Sequence, residues 1–417
     1  MKLLLRSILF WLIRIIGKTS TFTLRRRSYF TKQGRVPRIL LVHPGHLGSV
    51  ILATPVLHAL KSQVPYAHIS MIVSSVNREL IEHHPDLDQL LICPFPDRRL
   101  GNNHFIRSWL LLVIRALQLR REQYDLAINL SRVNYWWVSA LLALSGIPRR
   151  VGAETRYGSQ FLTTAVELLD YEHATVSLLR ITSAGLQALG YKPLEEPYTV
   201  ERYPLYFKST DEDQQRVAEL LKEQGIAEDA HLVIIQAGTG GNAKLWTTTG
   251  WAACATRLHR RLSAAGVPVN IILTGSHREY PLLKEIADHM EIPATLISQV
   301  TLGQLAALFA RAEIVLGVDS GALHLASTQQ TATVKIFGPT DYHVYSQWAD
   351  AKLHSMLAAE QRCPTCPDIP CGRMYLPSNL PDEFTCMRQI SEQQVYAVAC
   401  RHLTHLLPEK QVCRKIG

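Results

Sequence analysis

No Walker loop occurs in this chain of 417 residues, and no G-x-G-x-x-G follows Leu41 or Gln236, the strand ends where a dinucleotide fingerprint would stand. No acidic residue closes the second strand either, which argues against a nicotinamide-linked dehydrogenase. Asp and Glu are missing from residues 1–38, which hold ten basic residues, while the whole chain has a net charge of +9. The remainder is therefore close to neutral. It offers no basic face of the kind nucleic acid requires, only a basic arm. The apolar run in MKLLLRSILFWLIRIIGK is interrupted by Arg6 and Arg14 and is shorter than the roughly 20 residues of a spanning helix. No small-residue cleavage site follows it, which argues against a secretory signal.

What is present points to a globular protein of two or three domains, with 47% hydrophobic and 19% charged residues. The arm, residues 1–35, reads as a basic amphipathic helix followed by Arg25-Arg26-Arg27. That pattern fits an interfacial helix on an anionic membrane surface, or a helix packed on the body or a partner.

From Arg38 onward, strands alternate with helices. Arg38–Val42 is a short apolar strand, His43–Ser49 a glycine-bearing turn, and Val50–Val64 a helix with Pro55 early in it. Strands at Ile69–Val73, Leu90–Cys93 and Leu126–Leu130 follow, with helices at Trp109–Leu119 and Trp136–Leu144. This alternation implies a parallel sheet. Val151–Tyr206 is less regular, apart from a helix over Val176–Leu189, and Pro193–Pro204 reads as a linker. A second series begins with an acidic helix at Asp211–Gln224. It continues through strands Leu232–Gln236, Val269–Leu273, Ile314–Val318 and Thr333–Phe337, with a helix over Leu302–Ala310. The expected domains are 36–200 and 201–350, followed by a tail over 351–417 with a final helix at Ser391–Leu407.

The stretch Ile314–Asp341, IVLGVDSGALHLASTQQTATVKIFGPTD, organises the second half. A buried strand stops at Asp319-Ser320-Gly321 and turns into a helix, so free N–H groups and a positive dipole end converge where a diphosphate would fit. Asp319 can accept from sugar hydroxyls, Gly321 lets a ligand approach the backbone, and His324 lies on the first helical turn. An Asp/Ser helix cap with a buried histidine is the plain alternative. Ligands of open α/β sheets bind at the carboxyl ends of strands, where these residues fall.

Four stretches together resemble the ADP-heptose–lipopolysaccharide heptosyltransferases (glycosyltransferase family 9): Gly48–Pro55 (GSVILATP), Gln236–Trp251 (QAGTGGNAKLWTTTGW), Asp319–Ala326 (DSGALHLA) and Phe337–Asp341 (FGPTD). The resemblance implies an α/β GT-B fold, two Rossmann-like domains facing a cleft. It also implies an inverting transfer of a sugar, a heptose by resemblance, from a nucleotide-diphosphate donor to a lipopolysaccharide or other lipid-linked glycan hydroxyl. By the same resemblance Lys244 pairs with the donor diphosphate, and Thr239 and Gly240 hold phosphate. Asp319, Ser320, Gly321 and His324 hold nucleotide and sugar, and Glu279 holds the ribose. No catalytic cofactor is implied. The implied location is the cytoplasmic face of the membrane, peripherally bound.

The departure lies at Ser49, where the family motif has the Asp proposed as general base. A serine cannot serve as that base at neutral pH. His46 or His43 in the same turn can supply an imidazole instead, and His46 is the preferred candidate beside Ser49. Otherwise the acceptor supplies the base, or leaving-group stabilisation suffices. The alternative class is a silent member that binds sugar nucleotide or glycan without turnover.

Eight cysteines are present; Cys93 and Cys254 read as core residues. Cys363, Cys366, Cys371 and Cys386 have the spacing of a structural zinc site. Free thiols and disulfides are the other readings, and a closed four-cysteine site has no open position for catalysis.

Overall fold

The computed structural model describes residues 35–93, 103–360, 371–372, 375 and 386–408. The basic arm up to residue 34, together with Cys363 and Cys366, lies outside them. The chain divides into two compact units, one ending at Tyr206 and the other starting at Phe207.

The first unit contains β1 (Arg38–Val42), β2 (His68–Val73), β3 (Gln89–Ile92), β4 (Leu126–Asn129), β5 (Arg149–Ala153) and β6 (Thr164–Val166). They form one sheet in the order β3-β2-β1-β4-β5-β6, with every pairing parallel. The last four residues of β1 are buried, as expected for a central parallel strand covered on both faces. One face packs on the helices Asn103–Glu122 and Trp136–Leu144 through Leu112, Leu119, Trp137 and Leu141. The helix expected over Val50–Val64 is two helices, Leu47–Ile51 and Thr54–Gln63. Pro55 takes the first turn of the second helix, where its missing N–H leaves nothing unsatisfied.

The second unit contains β7 (His231–Gln236), β8 (Val269–Thr274), β9 (Thr295–Ile297), β10 (Ile314–Val318), β11 (Ala332–Phe337) and β12 (His354–Ala358). The order is β12-β11-β10-β7-β8-β9, again all parallel. Counted from its own first strand, this is the same 3-2-1-4-5-6 winding as the first sheet. Each unit therefore has a topological switch point, β1/β4 in one and β7/β10 in the other, where ligands of this fold bind. Helix Asp211–Glu223 starts on a capping box between Thr210 and Asp213, and Trp246 meets Trp251 edge-on at 4.7 Å under the β7 turn. Such a pair contributes about 0.5–1.5 kcal/mol beyond its buried area.

The final helix, Glu392–His402, packs on the second unit. Its described neighbours are the second unit's own helix Thr248–Ala264 and strands β10–β12, and it buries Val395, Ala399 and Leu403 in that unit's core. Among the described residues no helix is long and apolar enough to cross a membrane.

Candidate active site

Strand β10 is buried along its whole length and delivers Asp319 at its carboxyl end. The Asp319 N–H donates to the Ile336 carbonyl at 2.9 Å, one step past the ladder. Three side chains converge on the carboxylate. Lys335 Nζ lies 2.9 Å from Oδ1, Lys244 Nζ lies 3.2 Å from Oδ2, and Thr340 Oγ1 donates to Oδ2 at 2.8 Å. Thr239 Oγ1 donates to the Asp319 carbonyl at 3.4 Å. Burial alone would raise the Asp319 pKa, but the Lys335 and Lys244 cations outweigh it and hold the carboxyl well below the usual carboxylate range. Burial pushes Lys335 down to about 8, opposed by Asp319.

Two ammonium groups on one carboxylate leave a net charge of about +1 at the β7/β10 switch point. The helix Gly321–Thr328 begins at the same spot, and its cap residue Ser320 makes no side-chain cap bond. The Ser320 hydroxyl oxygen is buried without a partner. A positive helix end, an excess cation and an unspent hydroxyl are the features that suit an anion. The same donors would stabilise a diphosphate leaving group as its charge develops.

Of the residues singled out from sequence, Thr239, Lys244, Asp319 and Ser320 are thus brought together, with Gly321 opening the helix. Glu279, in the turn after β8, lies against Gly238, next to Thr239 in the chain. Its Oε2 accepts from the Ser276 N–H at 2.7 Å and hydroxyl at 2.8 Å, and its carboxyl lies where a Cβ on Gly238 would sit. A Gly238→Ala change must therefore displace the end of the Glu279 side chain from Ser276, at a cost of about 0.5–1.5 kcal/mol. We expect a lower melting temperature for that variant and recovery in Gly238→Ala/Glu279→Ala, read by thermal denaturation.

His324 is buried behind the cluster, and its Nε2 lies 2.9 Å from Lys335 Nζ. Two residues of the cluster escaped sequence reasoning. Lys335, 1% exposed, was signalled by a charge inside the apolar run TVKIF, an uncommon placement for lysine unless it is paired. Thr340 lay within a recognised stretch, but no role followed from the stretch. Gln236 Oε1 and Thr274 Oγ1, on paired positions of β7 and β8, are also buried without partners.

Described parts of the tail hold the turns of this site. Tyr375 Oη donates to the Gly240 carbonyl at 2.9 Å, and the Gly372 N–H, next to Cys371, donates to the Pro339 carbonyl at 2.8 Å. Trp246 Nε1 donates to the Ile390 carbonyl at 2.9 Å. The Gly338 backbone abuts Cys386 Sγ and Met387. Among the described residues no group of three or more metal-ligating side chains occurs.

In the first unit, the turn after β1 is tightly built. His43 Nδ1 accepts from the Gly45 N–H at 3.1 Å, and Asn77 donates to the Gly45 carbonyl at 2.8 Å. A Cβ on Gly45 would collide with Ser49 Oγ and the His43 ring. Burial lowers the His43 pKa to about 4, so the ring is neutral. Ser49 Oγ donates to the His46 carbonyl at 2.7 Å, while His46 is exposed at the start of helix Leu47–Ile51.

The family model described as glycosyltransferase family 9 (heptosyltransferase) matches residues 114–371. Lipopolysaccharide heptosyltransferase 3 of Escherichia coli is 23% identical over 333 residues, covering 79% of this chain and 92% of that protein. Solved structures are similar as well. A glycosyl transferase family 9 protein from Veillonella parvula has a TM-score of 0.68 at 20% identity, covering 88% of this chain and 97% of its own. The ADP-heptose LPS heptosyltransferase II of Escherichia coli has a TM-score of 0.65 at 17% identity, covering 88% and 99%. Both share the two-sheet α/β fold.

Proposed function

Because this chain belongs to glycosyltransferase family 9, the heptosyltransferases, we propose that it transfers a heptose, with inversion, from ADP-heptose to a hydroxyl of a lipopolysaccharide acceptor. The observation that carries the reading is the Asp319 cluster, an excess cation and a helix N-terminus at the β7/β10 switch point. Lys244 is the cation for the donor diphosphate, with Ser320 and the backbone around Thr239, Gly240 and Gly321 completing the cradle. Asp319 sets the lysine in place. Glu279, against Gly238, is the acceptor for the ribose hydroxyls. The names of the relatives support the donor and the acceptor class.

For the base we assign His46. His43 is buried and has already spent its Nδ1 lone pair on the Gly45 N–H, so a neutral ring carries hydrogen on its other nitrogen. Ser49 gives its own proton to the His46 carbonyl, which suits a hydroxyl and no base. His46 is exposed in the same turn, and imidazole titrates in the useful range. A lipid-linked acceptor and the basic arm of residues 1–35 together support a peripheral place on the inner face of the cytoplasmic membrane.

The test is ADP release from ADP-heptose in the presence of purified lipopolysaccharide acceptor. The natural chain is expected to turn over. His46→Ala should lower kcat about 100-fold or more, the scale of a lost general base, and Lys244→Ala should raise the donor KM. No release from the natural chain, with activity appearing in Ser49→Asp, would instead identify a silent binding member.

A further inference from the structure

The Lys335 ammonium has three N–H bonds and three acceptors: Asp319 Oδ1 at 2.9 Å, His324 Nε2 at 2.9 Å and the Tyr345 carbonyl at 3.0 Å. The Phe337 ring, 5.0 Å from Nζ, adds a cation–π contact. With its donors occupied and 1% exposure, Lys335 acts only through the groups it holds. His324 accepts from it, so that ring is neutral with hydrogen on Nδ1. Lys335 keeps Asp319 Oδ1, while Lys244 and Thr340 share Oδ2.

Taking Lys244 away from Asp319 would thus leave the carboxylate with one cation and one hydroxyl. If Lys244 were the sole counter-ion, a diphosphate would have to strip a buried carboxylate of its charge partner, which is strongly unfavourable. Two lysines on one carboxylate remove that obstacle.

We propose that Lys335 is the positioning residue that lets Lys244 exchange Asp319 for the diphosphate: Lys335 stays as the buried counter-ion, and Lys244 moves to the phosphate oxygens. The inference deepens the proposed function, since it rests on Lys244 as the diphosphate's cation. The exchange breaks one N–H···O contact and forms another, with no covalent step. The charged and titratable groups facing Lys335 are Asp319, His324 and Lys244. His354 on the neighbouring strand is engaged by Thr333 at 2.9 Å.

The test is a double-mutant cycle on the full chain, titrating inorganic pyrophosphate and ADP by calorimetry. In the natural background Lys244→Ala is expected to weaken pyrophosphate binding about tenfold or more, the effect of one lost charge-assisted contact. In Lys335→Met the same change should cost less than about twofold, because there Lys244 is confined to Asp319 and contributes little to binding. A lysine with only a structural role would lower stability and leave the two losses equal, which overturns the proposal.

Should Lys335→Met fail to fold, Asp319→Asn/Lys335→Met removes both buried charges and serves as the background. Lys244 then has no carboxylate to hold it, and Lys244→Ala should again cost about tenfold; no loss there overturns the proposal equally. Coupled pyrophosphate binding without ADP binding leaves this inference standing and removes the adenine nucleotide from the proposed function. Pyrophosphate binding that is indifferent to Lys244→Ala removes both.

Discussion

Asp319→Ala is expected to destabilise the second unit by about 3–5 kcal/mol and to abolish turnover. The loss exceeds that of one ion pair, because Lys335 remains 1% exposed with no carboxylate and an uncompensated buried charge is strongly destabilising. Thr340 and Lys244 lose their common acceptor at the same time. For a unit of this size the melting temperature should fall by about 10 °C. Lys335→Met added to Asp319→Ala removes the stranded charge and should restore most of the stability while leaving activity absent. Thermal denaturation of both variants checks this, and a double variant no more stable than Asp319→Ala would refute it.

Acid should destabilise the first unit well above the pH where carboxylates protonate. Burial lowers His43 and His84 from the ordinary 6.5 to about 4 each. The folded rings stay neutral down to about pH 4, whereas unfolded histidines protonate near 6.5. Between those values the unfolded chain binds more protons, so stability is full above about 6.5 and falls as the pH drops through the window. Each histidine accounts for about 3 kcal/mol across it. His84 also accepts from the Asp86 N–H at 3.2 Å and lies 4.7 Å from the Tyr206 ring. Urea midpoints at pH 7, 5.5 and 4.5 should decline steadily, and His84→Gln should flatten the slope. A midpoint independent of pH would contradict the argument.

Most strands legible from sequence are central, with the apolar edge strand β3 read as well, over Leu90–Cys93. Arg38–Val42, Leu232–Gln236 and Ile314–Val318 lie at the middle of parallel sheets, are covered on both faces, and so show as short apolar runs. The ones missed are peripheral or charged. β5 opens with Arg149-Arg150, β6 and β9 have three residues each, and β12 is an edge strand with a histidine and a serine. Edges bury less, so their pattern is faint. The site divides in the same way. Asp319 stood out in the sequence at a strand end that runs into a helix start, whereas Lys244 and Thr239 came from the family resemblance, and the structure brings the three together. Lys335 was not legible, because its partner sits on the adjacent strand at a register only the sheet reveals. His324 was given to the ligand by the family resemblance and its place on the first helical turn; that its Nε2 meets the Lys335 ammonium shows only in the structure.

The second unit draws part of its core from residues that the ribosome makes late. Val395, Ala399 and Leu403 share one core with helix Thr248–Ala264 and strands β10 and β11, and the turns after β7 and β11 are tied to Tyr375, Gly372 and Ile390. The first unit has all its strands by residue 166 and its last long helix by Leu189, so it can close while the rest is still being translated. The second cannot. Its sheet can assemble from residue 358 onward, yet one side of its apolar interior stays open until about fifty more residues have emerged. During that interval the nascent chain exposes a half-covered parallel sheet, and this is the period in which a chaperone would find it.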